Sequence, residues 1–441
     1  MAAEPKIKQL CAPLVAVRRC RAGFGALVLM LGLAASVVPA HAAFVGEQLM
    51  SGSADAWEPF VAADANSTNV YAVWFLPHGP VQCTGCPSSG LQFTRSTDNG
   101  VTWSAPAYCP YCASGSKGEY DPTIKVVARP AAGTAAPVYA MWMDWNSIAF
   151  SKSTDHGQTW TAEKIVSGTQ WADHPWFGMS ADGKDVYAFW AKGDLYAVAS
   201  HDYGVTWSAP LKINTVKKLY YYAEGVEVLP DGTVVVAAAG YPCGKGSSQC
   251  TGTITYNVFR STNAGASYTQ SVVDSLKTGV QYMTDGLETV ASDSTGTLVL
   301  MYTGATTQGG SNGVWVRQSV NSGATWSAAI PLLASGVSAD CSYPAIVGGA
   351  AGSFRATFFD TRTGAFNVWY RQSTDGGMTW TTEVKISDKA TGAPYKTAQG
   401  FGAPYGDYSG LSILSNGNSI AIFGESAPAQ AAPGGIWMNH Q

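Results

Sequence analysis

The amino-acid sequence predicts an all-β fold, a seven-bladed β-propeller of four-stranded antiparallel blades. Three observations carry this: a turn motif repeated six times at near-constant spacing, alternating strand-like runs between its copies, and a composition rich in turn formers and aromatics. The 441 residues include 49 Gly, 22 Pro, 15 Trp and 21 Tyr, while charged residues make up only 13%. Globular proteins usually carry about 25% charge, so the chain reads as many short strands joined by tight turns.

The motif is small-x-Asp/Asn-x-Gly-x-Thr/Ser-Trp/Tyr, found at 96–103, 153–160, 200–207, 261–268, 319–326 and 373–380. Its third residues are Asp98, Asp155, Asp202, Asn263, Asn321 and Asp375, separated by 57, 47, 61, 58 and 54 residues. An Asp or Asn side chain can accept nearby backbone N–H groups while Gly takes a positive φ, which makes a hairpin corner. The aromatic then packs back between neighbouring sheets. His156 and His201 fall at variable motif positions and read as exposed turn residues.

Strand runs surround each motif. In the second repeat they are 122–127, 137–142 and 147–151 before the motif and 162–166 after it. Four strands per repeat make a propeller blade. After the sixth motif and its outer strand at 382–386, only three runs remain, at 410–414, 419–423 and 434–439. The segment 44–50 resembles an outer strand and precedes the first complete set. Pairing the two termini would build the seventh blade and remove its sheet edges. A six-bladed ring is the alternative.

Residues 1–42 read as an export signal peptide: Lys6, Lys8, Arg18, Arg19 and Arg21 are followed by an apolar stretch at 22–38 and by Ala40-His41-Ala42. Residues 43–441 then form a single propeller domain, expected to be secreted or periplasmic, monomeric, and off the membrane once the leader is cleaved. An uncleaved anchor is the alternative. Loss of the leader would leave 21 Lys+Arg against 29 Asp+Glu, moving the net charge from −4 to near −8. That balance excludes nucleic acid, whose binding depends on Lys and Arg.

Cys83-Thr-Gly-Cys86 and Cys109-Pro-Tyr-Cys112 form a CxxC pair on loops expected to share one face. In an oxidising compartment they read as two disulfides, with a four-thiolate metal site as the alternative. Cys243 and Cys250 would close a loop of their own, leaving Cys341 unpaired.

Innermost strands should start at the loop-rich face beside the axis, placing Glu58, Asp121, His174, Glu224, Asp285, Tyr343, Asp407 and Tyr408 around one mouth. Second strands end there with Asp144, Trp145, Asp360, Arg362 and Glu425. Carboxylates converging on a narrow mouth repel one another, which raises pKa values or invites a divalent cation. The competing reading is that they cap inner-strand N–H groups and hold water. Trp57, Tyr120, Trp145 and Trp176 are suited to stacking on sugar rings. Nucleotide loops, HExxH and a Ser nucleophile elbow are absent from the sequence.

The six turns resemble the Asp-box, or BNR repeat, of sialidases and related propellers, where the boxes are structural and lie opposite the active site. Sialidases use a Tyr nucleophile assisted by Glu, an acid/base Asp and three Arg that clamp the substrate carboxylate. The segment 408–417 with Glu425 looks like the one that carries the Tyr, and 224–232 looks like the one that carries the Glu. Axial position and resemblance together nominate Tyr408, Glu224, Asp121 and Asp407 as catalytic. Arg362, Glu58, His174, Asp285, Trp57, Trp145 and Trp176 are nominated to bind substrate. The arginines depart from the pattern: none occurs between Arg21 and Arg95, and Ala237-Ala-Ala239-Gly240 stands where a second is due. Arg362 alone remains, and one Arg cannot make a three-fingered carboxylate clamp. The expectation is a carbohydrate-active propeller acting on a glycan or glycoconjugate, a sialidase-like glycoside hydrolase if it is an enzyme. A non-catalytic glycan- or protein-binding propeller is the alternative.

Overall fold

The computed structural model describes residues 42–51, 56–76, 89–112, 116–168, 171–242, 251–279, 288–364, 366–387, 409–425 and 435–441. The expected leader lies outside the described residues except for Ala42. The described strands form seven antiparallel sheets of four, so the chain is a seven-bladed β-propeller and the six-bladed alternative falls.

The innermost strands are, in blade order, Trp57–Ala63, Glu119–Val126, Asp173–Met179, Tyr220–Val228, Glu288–Ser292, Cys341–Gly348 and Gly410–Ile413. In blade 2 the strand Glu119–Val126 is followed by Val138–Asp144, Ser147–Ser153 and Lys164–Ile165, close to the sequence expectation. The outer strands are the main difference: in six blades they span only two residues. A short outer strand presents few unpaired backbone groups at an exposed edge. Blade 4 departs from this with the nine-residue Thr269–Lys277, whose end is bridged to Ala305 of blade 5.

Both termini build blade 7. Gln48–Leu49 pairs with Gly435–His440 in the register Gln48 to Met438 and Leu49 to Trp437. The Val45 amide donates to the His440 carbonyl at 3.0 Å. On the inner side, Ser412 Oγ accepts the Ala63 amide at 3.0 Å. Gly410 lets blades 7 and 1 close together there, since a Cβ at this position would sit 2.8 Å from the Val61 nitrogen.

Aromatics fill the space between sheets. Trp74, Trp142, Tyr71, Tyr139 and Tyr221 are among the largest fully buried side chains. The repeat turns pin the corners on the opposite face from the inner-strand starts. In the second, Ser153 Oγ donates to Asp155 Oδ1 at 2.8 Å and accepts the Gly157 amide at 2.9 Å. The Thr159 amide donates to Asp155 Oδ1 at 2.8 Å, its hydroxyl donates to Oδ2 at 2.6 Å, and the Trp160 indole donates to the Gly157 carbonyl at 3.2 Å. The Thr159 hydrogen bonds hold the Asp155 carboxyl below the usual carboxylate range. At Asn321 the side chain both accepts the Thr325 amide at 3.0 Å and donates to its hydroxyl at 2.8 Å, so an amide serves in place of the acid.

Gly204 of the third turn has φ +78°, and a Cβ there would lie 2.3 Å from the Phe150 ring of blade 2. Gly232, at φ +81°, has open space around it. Gly232→Ala should cost about 1 kcal/mol in urea unfolding, from backbone conformation alone. Gly204→Ala should cost at least about 2 kcal/mol more, from the ring clash. Equal losses would contradict the inter-blade packing of the turns.

Candidate functional site

Each described axial residue owes its place to an irregularity at the start of an inner strand. In blade 1, Trp57 pairs with Phe75 and Phe60 with Val73, so Glu58 and Pro59 together face Trp74. The same two-for-one bulge sets Asp121 and Pro122 against Trp142, His174 and Pro175 against Trp190, and Tyr343 and Pro344 against Phe358. Pro suits the unpaired position because it has no N–H to lose. The residue before it takes the left-handed region, with φ of +54° at Glu58, +48° at Asp121, +55° at His174 and +49° at Tyr343. Non-Gly residues in that region cost about 1–3 kcal/mol each and persist where the surroundings over-determine them. Here the buried aromatic beneath each bulge does so. Blade 4 places an extra residue, Glu224, at the corresponding register shift.

The bulges are linked from blade to blade. Glu58 Oε2 accepts the Asp121 amide at 3.1 Å, and Asp121 Oδ2 accepts the His174 amide at 3.1 Å. The Trp176 indole donates to His174 Nε2 at 3.1 Å. An indole N–H only donates, so His174 Nε2 is the acceptor in this contact. Glu58, His174 and Glu224 are buried and Asp121 is half-buried.

Below the mouth runs an axial cavity of about 310 Å³, lined by inner strands of all seven blades. Phe60 of blade 1 and Trp176 of blade 3 meet edge to face at 5.5 Å, giving the mouth an apolar floor. Deeper in the lining stand Lys125 and Glu227, mid-strand residues that an expectation built on strand ends at the mouth did not include. The Lys125 ammonium donates to the Val226 carbonyl at 3.3 Å, and Glu227 Oε2 accepts the Ser292 hydroxyl at 2.5 Å. Burial pushes the Lys125 ammonium down and the Glu227 carboxyl up, and the attraction between the two charges opposes both shifts.

The nominated aromatics separate. Trp176 belongs to the floor, and Trp57 is half-buried with its ring edge-on to Phe75 at 5.9 Å. Trp145 is 45% exposed, with the Lys117 ammonium 5.8 Å from its ring. Two exposed aromatics absent from the sequence nominations share its face, Trp171 and Tyr220. The Trp145 and Trp171 loops are tied by the Ala172 amide donating to the Asn146 carbonyl at 3.0 Å.

Arg362 is engaged within blade 6. Its Nε donates to Asp360 Oδ2 at 2.8 Å, Nη2 donates to the same oxygen at 2.5 Å, and Nη1 pairs with Glu383. Its guanidinium also stacks 3.8 Å from the Trp369 ring. Two internal carboxylates thus neutralise the one arginine nominated for substrate. Asp285, Asp407, Tyr408, Cys83, Cys86, Cys243 and Cys250 lie outside the described residues. Cys341 is buried and free. Among the described residues, three His, Cys, Asp or Glu ligand atoms come within 4.8 Å of one another at Cys109, Cys112 and Glu119. Glu58, Asp121, His174 and Glu224 by themselves form no such trio for the cation expected at the axis.

No family model and no curated protein matches the chain. Among solved structures it is similar to a protein of unknown function from Dyadobacter fermentans, with TM-score 0.52 and 13% identity over 90% of this chain and 98% of that one. It is also similar to an ulvan lyase, a polysaccharide lyase bound to -[GlcA(1-4)Rha3S]-, with TM-score 0.56 and 12% identity over 90% of this chain and 95% of that one. A Hadza microbial sialidase aligns at TM-score 0.45 and 17% identity over 88% of this chain and 65% of that one. At these identities the likeness establishes the β-propeller fold.

Glu119, which opens the inner strand of blade 2, is fully buried. Burial pushes its carboxyl up to about 8, against the pull of the Tyr108 hydrogen bond. The folded state therefore holds a proton that the unfolded chain releases near its ordinary value, and stability falls as pH rises between the two. The slope reaches roughly 1.4 kcal/mol per pH unit. Asp340, pushed up to about 6 by burial, acts with the same sign lower in pH. Urea midpoints should fall from pH 6 to pH 8, and Glu119→Gln should remove most of that fall. An unchanged slope in the variant would refute the assignment.

Proposed function

We propose that this chain is an exported carbohydrate-active propeller that binds a glycan across blades 2–4 and cleaves a glycosidic bond at the axial mouth. The observation that carries the reading is the linked set Glu58, Asp121 and His174 on three successive blades, with Glu224 at the register shift of the fourth, over an apolar floor. In the proposed chemistry one carboxyl protonates the glycosidic oxygen and a neighbouring carboxylate or Tyr408 acts as nucleophile or base. Trp145, Trp171 and Tyr220 would give stacking faces for sugar rings, whose apolar faces suit aromatic contact. The neutralised Arg362 argues against a substrate gripped by its carboxylate, and so against a sialoside. The six repeat turns fit the Asp-box in residues and hydrogen bonding, and residues 1–42 fit an export leader.

One observation favours a second reading, a non-catalytic glycan-binding propeller: the carboxylates of Glu58 and Asp121 already accept backbone amides. A glycan array followed by reducing-end assays on the bound glycans separates the two. Trp145→Ala should weaken binding about tenfold. Asp121→Asn should leave binding intact and lower turnover by at least about a hundredfold. Binding without turnover by the unsubstituted protein would establish the second reading, and an array with no bound glycan would reject both.

A further inference from the structure

The loop 109–112 leaves the outer strand of blade 1, Ala107–Tyr108, and leads toward the inner strand of blade 2. It brings Cys109 and Cys112 together with Cα atoms 5.5 Å apart, and the Cys112 amide donates to the Cys109 carbonyl at 3.2 Å. We propose that Cys109 and Cys112 form an exchangeable disulfide, a thiol–disulfide exchange site in which Glu119 supplies the proton of the Cys109 sulfur.

The two sulfurs differ in access. Cys109 is 1% exposed while Cys112 is half-buried, so an incoming thiolate meets Cys112. Behind the buried sulfur stands Glu119, with Oε2 3.7 Å from Cys109 Sγ and Oε1 accepting the Tyr108 hydroxyl at 2.5 Å. Tyr111, between the cysteines, is itself buried and packs 4.5 Å from Trp160, 5.0 Å from Trp142 and 6.0 Å from Phe93. That ring anchors the loop in the cleft between blades 1 and 2 independently of the sulfur bond, so the bond can open without releasing the loop.

The exchange balances with a dithiol as reductant. One dithiol sulfur, as thiolate, attacks Cys112 Sγ; a new S–S bond forms, and the Cys109–Cys112 bond breaks with its electron pair on Cys109. The Glu119 carboxyl protonates that thiolate and becomes a carboxylate. The second dithiol sulfur then attacks its own partner in the mixed disulfide and releases Cys112 as thiolate, which takes a proton from solvent. Two electrons and two protons pass from the dithiol to the cysteine pair, and Glu119 regains its proton from water. Leaving-group protonation of this kind speeds exchange because a buried thiolate without a proton or cation is a poor leaving group.

The test is dithiothreitol treatment of the native full-length protein at pH 7, acid quenching, alkylation and mass spectrometry at Cys109 and Cys112, with circular dichroism on the same samples. The pair should open while the β signal persists, and in Cys109→Ser glutathione disulfide should cap Cys112. Glu119→Gln should slow opening about tenfold or more, whereas Tyr108→Phe, which keeps the carboxyl, should remain within about threefold of the unsubstituted rate. Should Glu119→Gln fail to fold, the order of labelling in the unsubstituted protein decides. Alkylation or capping at Cys112 ahead of Cys109 supports the site, and the reverse order overturns it. Opening only after denaturation, an unchanged rate in folded Glu119→Gln, or cysteines recovered reduced on a stoichiometric metal would also overturn it.

Discussion

At the bulges of blades 1 and 2 a carboxylate accepts the backbone amide of the next blade, and this side of the axial mouth depends on that contact. Glu58 holds the Asp121 amide and Asp121 holds the His174 amide. An inner strand in regular register would turn these side chains into the inter-blade packing or leave their amides facing the channel without a carbonyl partner. The bulge avoids both by adding one residue, and the left-handed φ it demands is held by an aromatic from the second strand. The same contact that orients the acids also couples neighbouring blades near the hub.

This arrangement has a chemical consequence. One oxygen of each acid is held by the backbone amide of the next blade, which keeps the carboxylate ordered at the mouth. Beneath them the Phe60 and Trp176 rings line the same axial cavity as the deeper Lys125 and Glu227. Two described cations near this face are already engaged: Arg362 is neutralised by Asp360 and Glu383, and the Lys117 ammonium lies by the Trp145 ring.

The blade count and the pairing of the two termini could be read from the sequence because the turn residues are chemically constrained: only a short acceptor, a positive-φ Gly and an aromatic satisfy the corner. The outer strands could not be sized, since an edge of two residues and one of nine, as in Thr269–Lys277, differ little in pattern. The axial positions were legible as strand starts. Their geometry is written in a recurring pair, an acidic, His or Tyr residue followed by Pro at 58–59, 121–122, 174–175 and 343–344, facing Trp74, Trp142, Trp190 and Phe358. The occupation of Arg362 was invisible because Glu383 lies 21 residues away on another part of the blade. Trp145 and Trp176 look alike in sequence, and only the indole hydrogen bond to His174 separates a floor residue from an exposed one.

Amide hydrogen exchange at single-residue resolution addresses the inter-blade contact most directly. The amides of Asp121 and His174 should be protected in the native protein, and Glu58→Ala should release the Asp121 amide by about a hundredfold or more while the amides of Val138–Asp144 keep their protection. Rapid exchange at Asp121 in the unsubstituted protein, or protection there that survives Glu58→Ala, would contradict the account.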